Sequence, residues 1–397
     1  MTDSKKYKLA ILISHPIQYH TPLFQALARH PEIDLTVYYC WDFGVKKQSA
    51  EPEFGVAYEW DIPLLEGYKY KFLKNLSLRP SEKFWGQVNP DVMREIWKER
   101  YDALWVHGYS FFTDWLAFLA AKLRGTPIFI RGITHLLDKK PWHIRLIKRL
   151  MLSVLFKACA ACLYIGKHNK DYYQHYGVPE RKLFLVPHVV GNDFFRKFYE
   201  ELKPRRAEIR KEFGFTGDDP VILFAGKLIP KKRPLWVLEA YRKVREQYPC
   251  KMLFAGEGPL RKDIESEVKK HGIPDVVITG FLNQTEMPRA YVSGDMLVLP
   301  SAYGETWGLV VNEAMNFVLP IIVSDKVGCG PDMVKEGENG YIIRSPEKLA
   351  DALREIVSDG EKRREFGKRS AELVSIWNVE QAVRGAYAAL RSIYESV

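Results

Sequence analysis

The chain has 397 residues, with 59 Lys+Arg against 49 Asp+Glu for a formal net charge of +10, and is 47% hydrophobic and 27% charged. This composition excludes disordered, collagen-like and low-complexity classes, and the length is that of about two or three domains at roughly 150 residues each. No apolar run approaches the ~18 residues of a membrane-spanning helix, and five cysteines, an odd and sparse set, do not make a secreted disulfide framework. The first apolar run, Leu9 to Ile13, is too short for a secretory leader and reads as a buried strand, so a cytoplasmic chain is expected.

In chain order, YKLAILIS predicts a strand, TPLFQALARHP a helix and DLTVYYC a second strand. DALWVHG, TPIFIRG, ACLYIG and KLFLVPH follow as short β-rich runs, with helical stretches such as TDWLAFLAAKL between them. Alternating strands and helices over this length predict parallel sheets in an α/β architecture. Residues 41–90 show no sustained period, and the aromatics Trp41, Phe43, Tyr58, Trp60 and Tyr68 there are candidates either for packing or for stacking on a sugar. Cys159 and Cys162 match C-x-x-C inside the apolar run FKACAACLYI; no second pair completes a zinc site, so they read as small core residues.

A polar, charge-rich stretch at 200–220 reads as a break, after which the pattern restarts with great regularity. VILFAGK, KMLFAGE, VVITGFL, DMLVLPS, PIIVSD and YIIRS predict strands, and KRPLWVLEAYRKVREQY, LRKDIESEVKKHG, TEMPRAYVSG and GLVVNEAMNFV the helices between them. The tail from Ser345 reads as helical. The expected architecture is α/β, two doubly wound Rossmann-like domains facing each other across a cleft, at 1–200 and 201–375, with a C-terminal helix at 376–397 packing back toward the first. Ligands of such sheets bind outside the carboxyl ends of the strands.

Charge is unevenly distributed. Residues 121–200 hold 15 basic and 5 acidic residues, the equal of the whole net charge. In DKKPWHIRLIKRLMLSVLFK the cations Lys139, Lys140, Arg145, Lys148 and Arg149 stand beside Trp142, Ile144, Leu146 and Ile147, as in a helix lying on an anionic bilayer. Packing of Leu146, Leu150 and Val154 on their own domain is the competing expectation.

Neither G-x-G-x-x-G after the first strand nor G-x-x-x-x-G-K-[ST] occurs, which removes the main signals of dinucleotide oxidoreductases and P-loop proteins. D-x-D is absent too, which speaks against a metal–diphosphate scheme. The informative stretch is LPSAYGETWGLVVNEAMNFVLPIIVSD, 299–325: a strand, a tight polar loop carrying Glu305, then a helix from about Gly308 with Glu313 on it. A helix N-terminus offers backbone N–H groups to a phosphate. Glu305 is placed to accept hydrogen bonds from sugar hydroxyls, and Glu313, roughly 7–8 Å further at 1.5 Å per residue, from a ribose diol.

These residues resemble the fourth sequence family of glycosyltransferases (glycosyl transferases group 1), the large retaining group with the GT-B fold. Glu305…Glu313 is similar to its Glu-seven-residues-Glu element, AGKLIPKK resembles its basic phosphate clamp at Lys227 and Lys232, and AGEGPLR, TGFLNQTEM, GENGYII and VGCGPDMV look like further family segments. The resemblance implies catalytic roles for Glu305, Lys227 and Lys232. It also implies a donor site at Gly226, Gly256, Leu282, Thr306, Trp307, Gly308, Leu309 and Glu313. Three departures are visible: Lys227 stands where Arg is usual, Val318 where Gly is customary, and His15, Gln18, Tyr19 and His20 replace a Gly-rich first loop. With His107 and His135 they are the acceptor-side candidates; His135 lies two residues late for the family's histidine and His107 follows a different strand.

The expected function is transfer of a sugar from a nucleotide-diphosphate sugar to a saccharide or lipid-linked saccharide acceptor with retention, in cell-surface polysaccharide or glycolipid synthesis. No metal and no cofactor are expected, nor nucleic-acid binding, and peripheral association with an anionic membrane through 139–157 is. The alternatives are a GT-B-like sugar-nucleotide epimerase, which needs no acceptor, and a non-catalytic basic adaptor for membrane or nucleic acid, which gives no reason for Glu305, Gly308 and Glu313 to stand together.

Overall fold

A computed structural model describes residues 6–45, 59–138 and 141–395. The chain divides into two compact units, one comprising the described residues of 1–47, 63–188 and 379–397, the other those of 48–62 and 189–378.

The first unit is built on β1 (Tyr7–Ile13), β2 (Ile33–Tyr39), β3 (Lys69–Phe72), β4 (Ala103–Val106), β5 (Ile128–Ile130), β6 (Ala161–Tyr164) and β7 (Leu183–Leu185). All pair in parallel in the order β3-β2-β1-β4-β5-β6-β7. Its connecting helices are α1 (Thr21–Arg29), α2 (Asp91–Lys98), α3 (Phe112–Arg124), α4 (Trp142–Ala158) and α5 (Lys167–His175). β1 is apolar on both faces because helices cover both sides of a parallel sheet. The order reverses between β1 and β4, where neighbouring loops leave the sheet in opposite directions and open a crevice.

The second unit begins with α6 (Asn192–Leu202) and α7 (Arg206–Glu212). Its strands are β8 (Val221–Ala225), β9 (Lys251–Ala255), β10 (Val276–Ile278), β11 (Met296–Leu299), β12 (Ile321–Ser324) and β13 (Gly340–Ile343), parallel in the order β10-β9-β8-β11-β12-β13. Between and after them come α8 (Pro234–Arg245), α9 (Arg261–His271), α10 (Met287–Ser293), α11 (Leu309–Met315), α12 (Gly330–Met333), α13 (Pro346–Ser358) and α14 (Gly360–Ile376). Here the reversal lies between β8 and β11. The last helix, α15 (Val379–Glu395), belongs to the first unit and packs on α1, β6 and β7.

Five expectations need correction. The aperiodic stretch 41–90 contains β3, whose KYKF alternates charge with aromatic along the sheet edge, the period of a half-exposed strand. The supposed break at 200–220 contains α7, which is ordered because Arg206 and Arg210 both pair with Asp295, itself the acceptor for Val221 N–H at the start of β8 (2.8 Å). The divide between units consequently falls at Val189 and not at 201, since α6 packs on α10, and the last helix starts at 379 and not at 376. The helix carrying Glu313 has only seven residues; it ends before Val318, whose φ of +61° is left-handed and cannot continue a helix.

Candidate active site

The donor-side candidates of the second unit lie beyond the carboxyl ends of strands, on both sides of the β8/β11 reversal, most on loops and Leu309 and Glu313 on α11, the helix after β11. Gly226 and Lys227 follow β8, Gly256 follows β9 and Leu282 follows β10. Glu305, Thr306, Trp307 and Gly308 follow β11. The first two loops are laced together: Gly226 N–H donates to Ala255 O and Leu228 N–H to Glu257 O, both at 2.9 Å. A Cβ on Gly256 would stand 2.0 Å from Gly226 O, so this approach requires glycine.

After Lys227 the chain makes a 3-10 turn, Pro230–Lys232, and Arg233 takes a left-handed φ of +55° before α8 begins. The turn swings Lys231 and Lys232 back over the strand ends. Ala302 N–H donates to Lys231 O at 2.8 Å, and the Lys232 ammonium pairs with Glu305 Oε2. Both side chains of that pair are largely buried, 15% and 12% exposed, and Ser301 Oγ donates to the same carboxylate oxygen at 2.9 Å. Burial pushes the Glu305 carboxyl up, but Lys232, the Ser301 hydroxyl and Lys231 more than offset it and hold it below its ordinary value. Glu305 is therefore ionised at neutral pH, in a field of lysines.

The loop after Glu305 is pinned from the other side by Gly328 N–H to Glu305 O (2.9 Å) and Cys329 N–H to Trp307 O (3.0 Å). Gly308, at φ +99°, turns the chain into α11. Glu313 is 2% exposed and accepts a hydrogen bond from the Tyr291 hydroxyl of α10. Trp307 is also buried; its Nε1–H donates to Asn312 at 2.9 Å and its ring stacks on Trp377, so its side chain buttresses the loop from behind. Leu282, Thr306 and Leu309 are half-buried. Lys231, Ser301 and Tyr291 are site residues that the motif reading missed. Lys231 was visible in PKK, whereas Ser301 and Tyr291 reach the site only through folding.

In the first unit the acceptor-side candidates again gather at strand ends. His15, Gln18, Tyr19 and His20 follow β1, and His107 follows β4. The His20 ring lies 4.9 Å from that of His107 and 5.9 Å from that of His188, while Trp105 stacks on His107 at 5.3 Å. Burial pushes His15 down to about 4; burial and then the Arg131 charge push His20 down to about 3. Trp41 and Phe43 pack edge-on against His15, so these two aromatics enclose it; Tyr58 lies outside the described residues. His135 is buried on the loop after β5 and lies near His168 of α5, whose pKa is lowered first by burial and then by this neighbour; adjacent Thr134 accepts Asn169 Nδ2–H at 2.8 Å. His188 and Arg131 join the cluster unannounced by any motif. Cys159 and Cys162 are buried free thiols of the core.

Residues 205–373 match the family described as Glycosyl transferases group 1. The second unit holds a glycosyl transferases group 1 domain. The chain is 28% identical over 222 residues to alpha-D-kanosaminyltransferase of Streptomyces kanamyceticus, covering 55% of this chain and 56% of that protein. It is 24% identical over 330 residues to GalNAc-alpha-(1->4)-GalNAc-alpha-(1->3)-diNAcBac-PP-undecaprenol alpha-1,4-N-acetyl-D-galactosaminyltransferase of Campylobacter jejuni, covering 81% of this chain and 82% of that one. Most of the curated relatives it matches are spanned over about half their length. In fold it resembles HepE of Anabaena in complex with UDP and glucose, with a TM-score of 0.70 and 14% identity over 97% of this chain and 100% of that one. Two Rossmann-like parallel-sheet units are thus the fold of GT-B glycosyltransferases, and all the lysines and glutamates described above for the second unit belong to the group 1 domain.

Proposed function

We propose that this chain transfers a glycosyl group from a nucleotide-diphosphate sugar to a saccharide or lipid-linked saccharide, with retention and without a metal or cofactor. The observation that carries this reading is the buried Lys232–Glu305 pair, with Lys231 beside it and Lys227 on the same strand end, inside a glycosyl transferases group 1 domain. Breaking the bond between the anomeric carbon and the phosphate oxygen sends its electron pair to the diphosphate. Lysine ammonium groups stabilise that developing charge, and a cation held in place beforehand lowers the barrier most. The acceptor oxygen bonds to the anomeric carbon on the same face, and its proton goes to the departing phosphate oxygen. Glu305 orients the sugar hydroxyls, and Glu313, fixed by Tyr291, serves the ribose. Calorimetric titration with a panel of nucleoside diphosphates, UDP first, tests the donor side. One of them should bind the wild-type chain and bind Lys232→Ala at least about tenfold more weakly; no binding by any would remove the donor reading.

Peripheral association with an anionic membrane is part of this proposal. Among the described residues no helix is long and apolar enough to cross a membrane. Of the nineteen exposed large hydrophobic residues among those described, eight lie between Ile133 and Val154, six of them on α4: Trp142, Leu146, Ile147, Leu150, Met151 and Val154. Trp142 is 75% and Val154 72% exposed, which removes the expectation that Leu146, Leu150 and Val154 pack on their own domain. Only Leu152, Leu155 and Phe156 of this helix are buried. Arg145 and Arg149 stay exposed beside the apolar arc; Lys139 and Lys140 lie outside the described residues. An apolar arc flanked by cations fits the headgroup boundary of an anionic bilayer, each cation adding about 1 kcal/mol. Co-sedimentation with vesicles of anionic phospholipid should occur at low salt and weaken toward 1 M, where the Debye length is roughly 3 Å. Failure to sediment at low salt would remove the membrane from the reading.

A further inference from the structure

Four strand-end loops of the first unit carry polar side chains into one place. Arg131 follows β5 directly, as His107 follows β4, and is 2% exposed. Its backbone N–H donates to Val106 O at 3.0 Å, which sets it beside His107. Its Nη2 donates to the carbonyls of Val186 and Pro187 at 3.4 and 3.3 Å, which sets it beside His188. The remaining guanidinium nitrogens, Nε and Nη1, are buried and have no hydrogen-bond partner among the described residues; His107 Nε2 and Gln18 Oε1 are in the same condition.

A buried guanidinium normally faces a carboxylate, because an isolated charge in a low-dielectric interior is costly. Among the described residues no carboxylate acts on Arg131: burial lowers its proton affinity, and the group that raises it is the Tyr173 hydroxyl. Its other neighbours are imidazoles, and burial together with the Arg131 charge keeps His20, His107 and His188 neutral. The cluster is a fixed positive charge with unmatched donors, ringed by neutral histidines, of which His107 has a buried Nε2 that is unsatisfied. Among the described residues no His, Cys, Asp and Glu side chains stand together as a metal-ligand set.

We infer that Arg131, with His107, His20 and His188, receives an oxyanion carried by the acceptor, a phosphoryl or carboxylate group next to the hydroxyl that is glycosylated. This rests on the reading of the chain as a glycosyltransferase whose first unit takes the acceptor. It narrows the acceptor class from saccharides in general to anionic ones. The competing role for Arg131 is to pin the 186–187 carbonyls, and that role requires no anion.

The test uses the full chain with the donor-side cations removed, Lys227→Ala/Lys232→Ala, so that anion binding at the donor site is silenced. Inorganic pyrophosphate, inorganic phosphate and malonate are titrated by calorimetry, and the histidine ring resonances are followed by NMR. One or more of these anions should bind this variant, with ring shifts at His107 and His188, and binding should fall at least about tenfold when Arg131→Gln is added, the effect of losing a charge-assisted hydrogen bond. Preference for the phosphorus anions or for malonate identifies the acceptor's group. If Arg131→Gln does not fold, Arg131→Lys, which keeps a charge but fewer donors, takes its place with the same expectation. UDP affinity should stay within about twofold of wild type in the Arg131 variant, so failure at this site and failure of the donor reading are separable. Absence of anion binding, or equal binding with and without Arg131, would overturn the inference.

Discussion

Lys232 and Glu305 stand 73 residues apart in the chain and meet as a largely buried ion pair between the ends of β8 and β11. Each needs the other: an unpaired charge in that position carries the full desolvation cost, and together they place a carboxylate and a cation at the point where the second sheet reverses.

Glu305→Ala should nearly abolish transfer, by a factor on the order of 10²–10³, since the carboxylate serves the sugar. The same change strands the Lys232 ammonium and should cost roughly 3 kcal/mol of stability, near the low end for breaking a buried pair. Steady-state rates and urea melts measure both. Wild-type turnover in this variant would show that the donor site lies elsewhere.

Lys227→Ala and Lys232→Ala should each slow transfer by about two orders of magnitude, and Lys231→Ala, which acts on Glu305 more weakly than Lys232, by less. Activity should persist in excess chelator. Complete loss there, with recovery on adding Mg²⁺ or Mn²⁺, would contradict a reaction driven by lysines alone.

Glu313→Ala should mainly raise KM for the nucleotide sugar, with kcat changed far less. Tyr291→Phe should do the same more weakly, because it removes the hydroxyl that holds Glu313 while leaving the carboxylate. A variant of Glu313 with unaltered KM would leave that residue a purely structural group.

Stability should fall with acid well before ordinary carboxylates titrate. His15 and His20 have folded values of about 4 and about 3 against an unfolded value near 6.5, so between those limits the unfolded chain binds more protons and each is destabilising as pH drops. Glu305, depressed in the fold, works in the same direction at lower pH. The urea midpoint should decline from pH 7 to pH 5, and less steeply in His20→Gln; a flat profile would contradict the buried neutral histidines.

Val318→Gly should stabilise the chain by about 1 kcal/mol. A β-branched residue in the left-handed region is strained by ~1–2 kcal/mol, which exceeds the extra entropy glycine loses on folding. The family resemblance implies glycine at this position, and a left-handed φ is what glycine adopts without strain. Thermal melts decide it: a lowered melting temperature would mean that Val318 packing outweighs its backbone strain.

The order of strands and helices was legible because each buried strand of a parallel sheet must be an apolar run and each covering helix an amphipathic one. Glu305, Lys227 and Lys232 were legible because they sit on strand-end loops within a recognisable local pattern. β3 and α7 were not: a short edge strand carries charge on its exposed face, and α7 owes its order to Asp295, 85 and 89 residues from its two arginines. The exposure of α4 was equally undecided, since its apolar residues suit a core as well as a bilayer and only packing distinguishes them. Arg131 had no motif at all. Its partners His107 and His188 come from other strands, and what makes it unusual, a buried cation without a carboxylate among the described residues, exists only once β4, β5, β6 and β7 have assembled in one sheet.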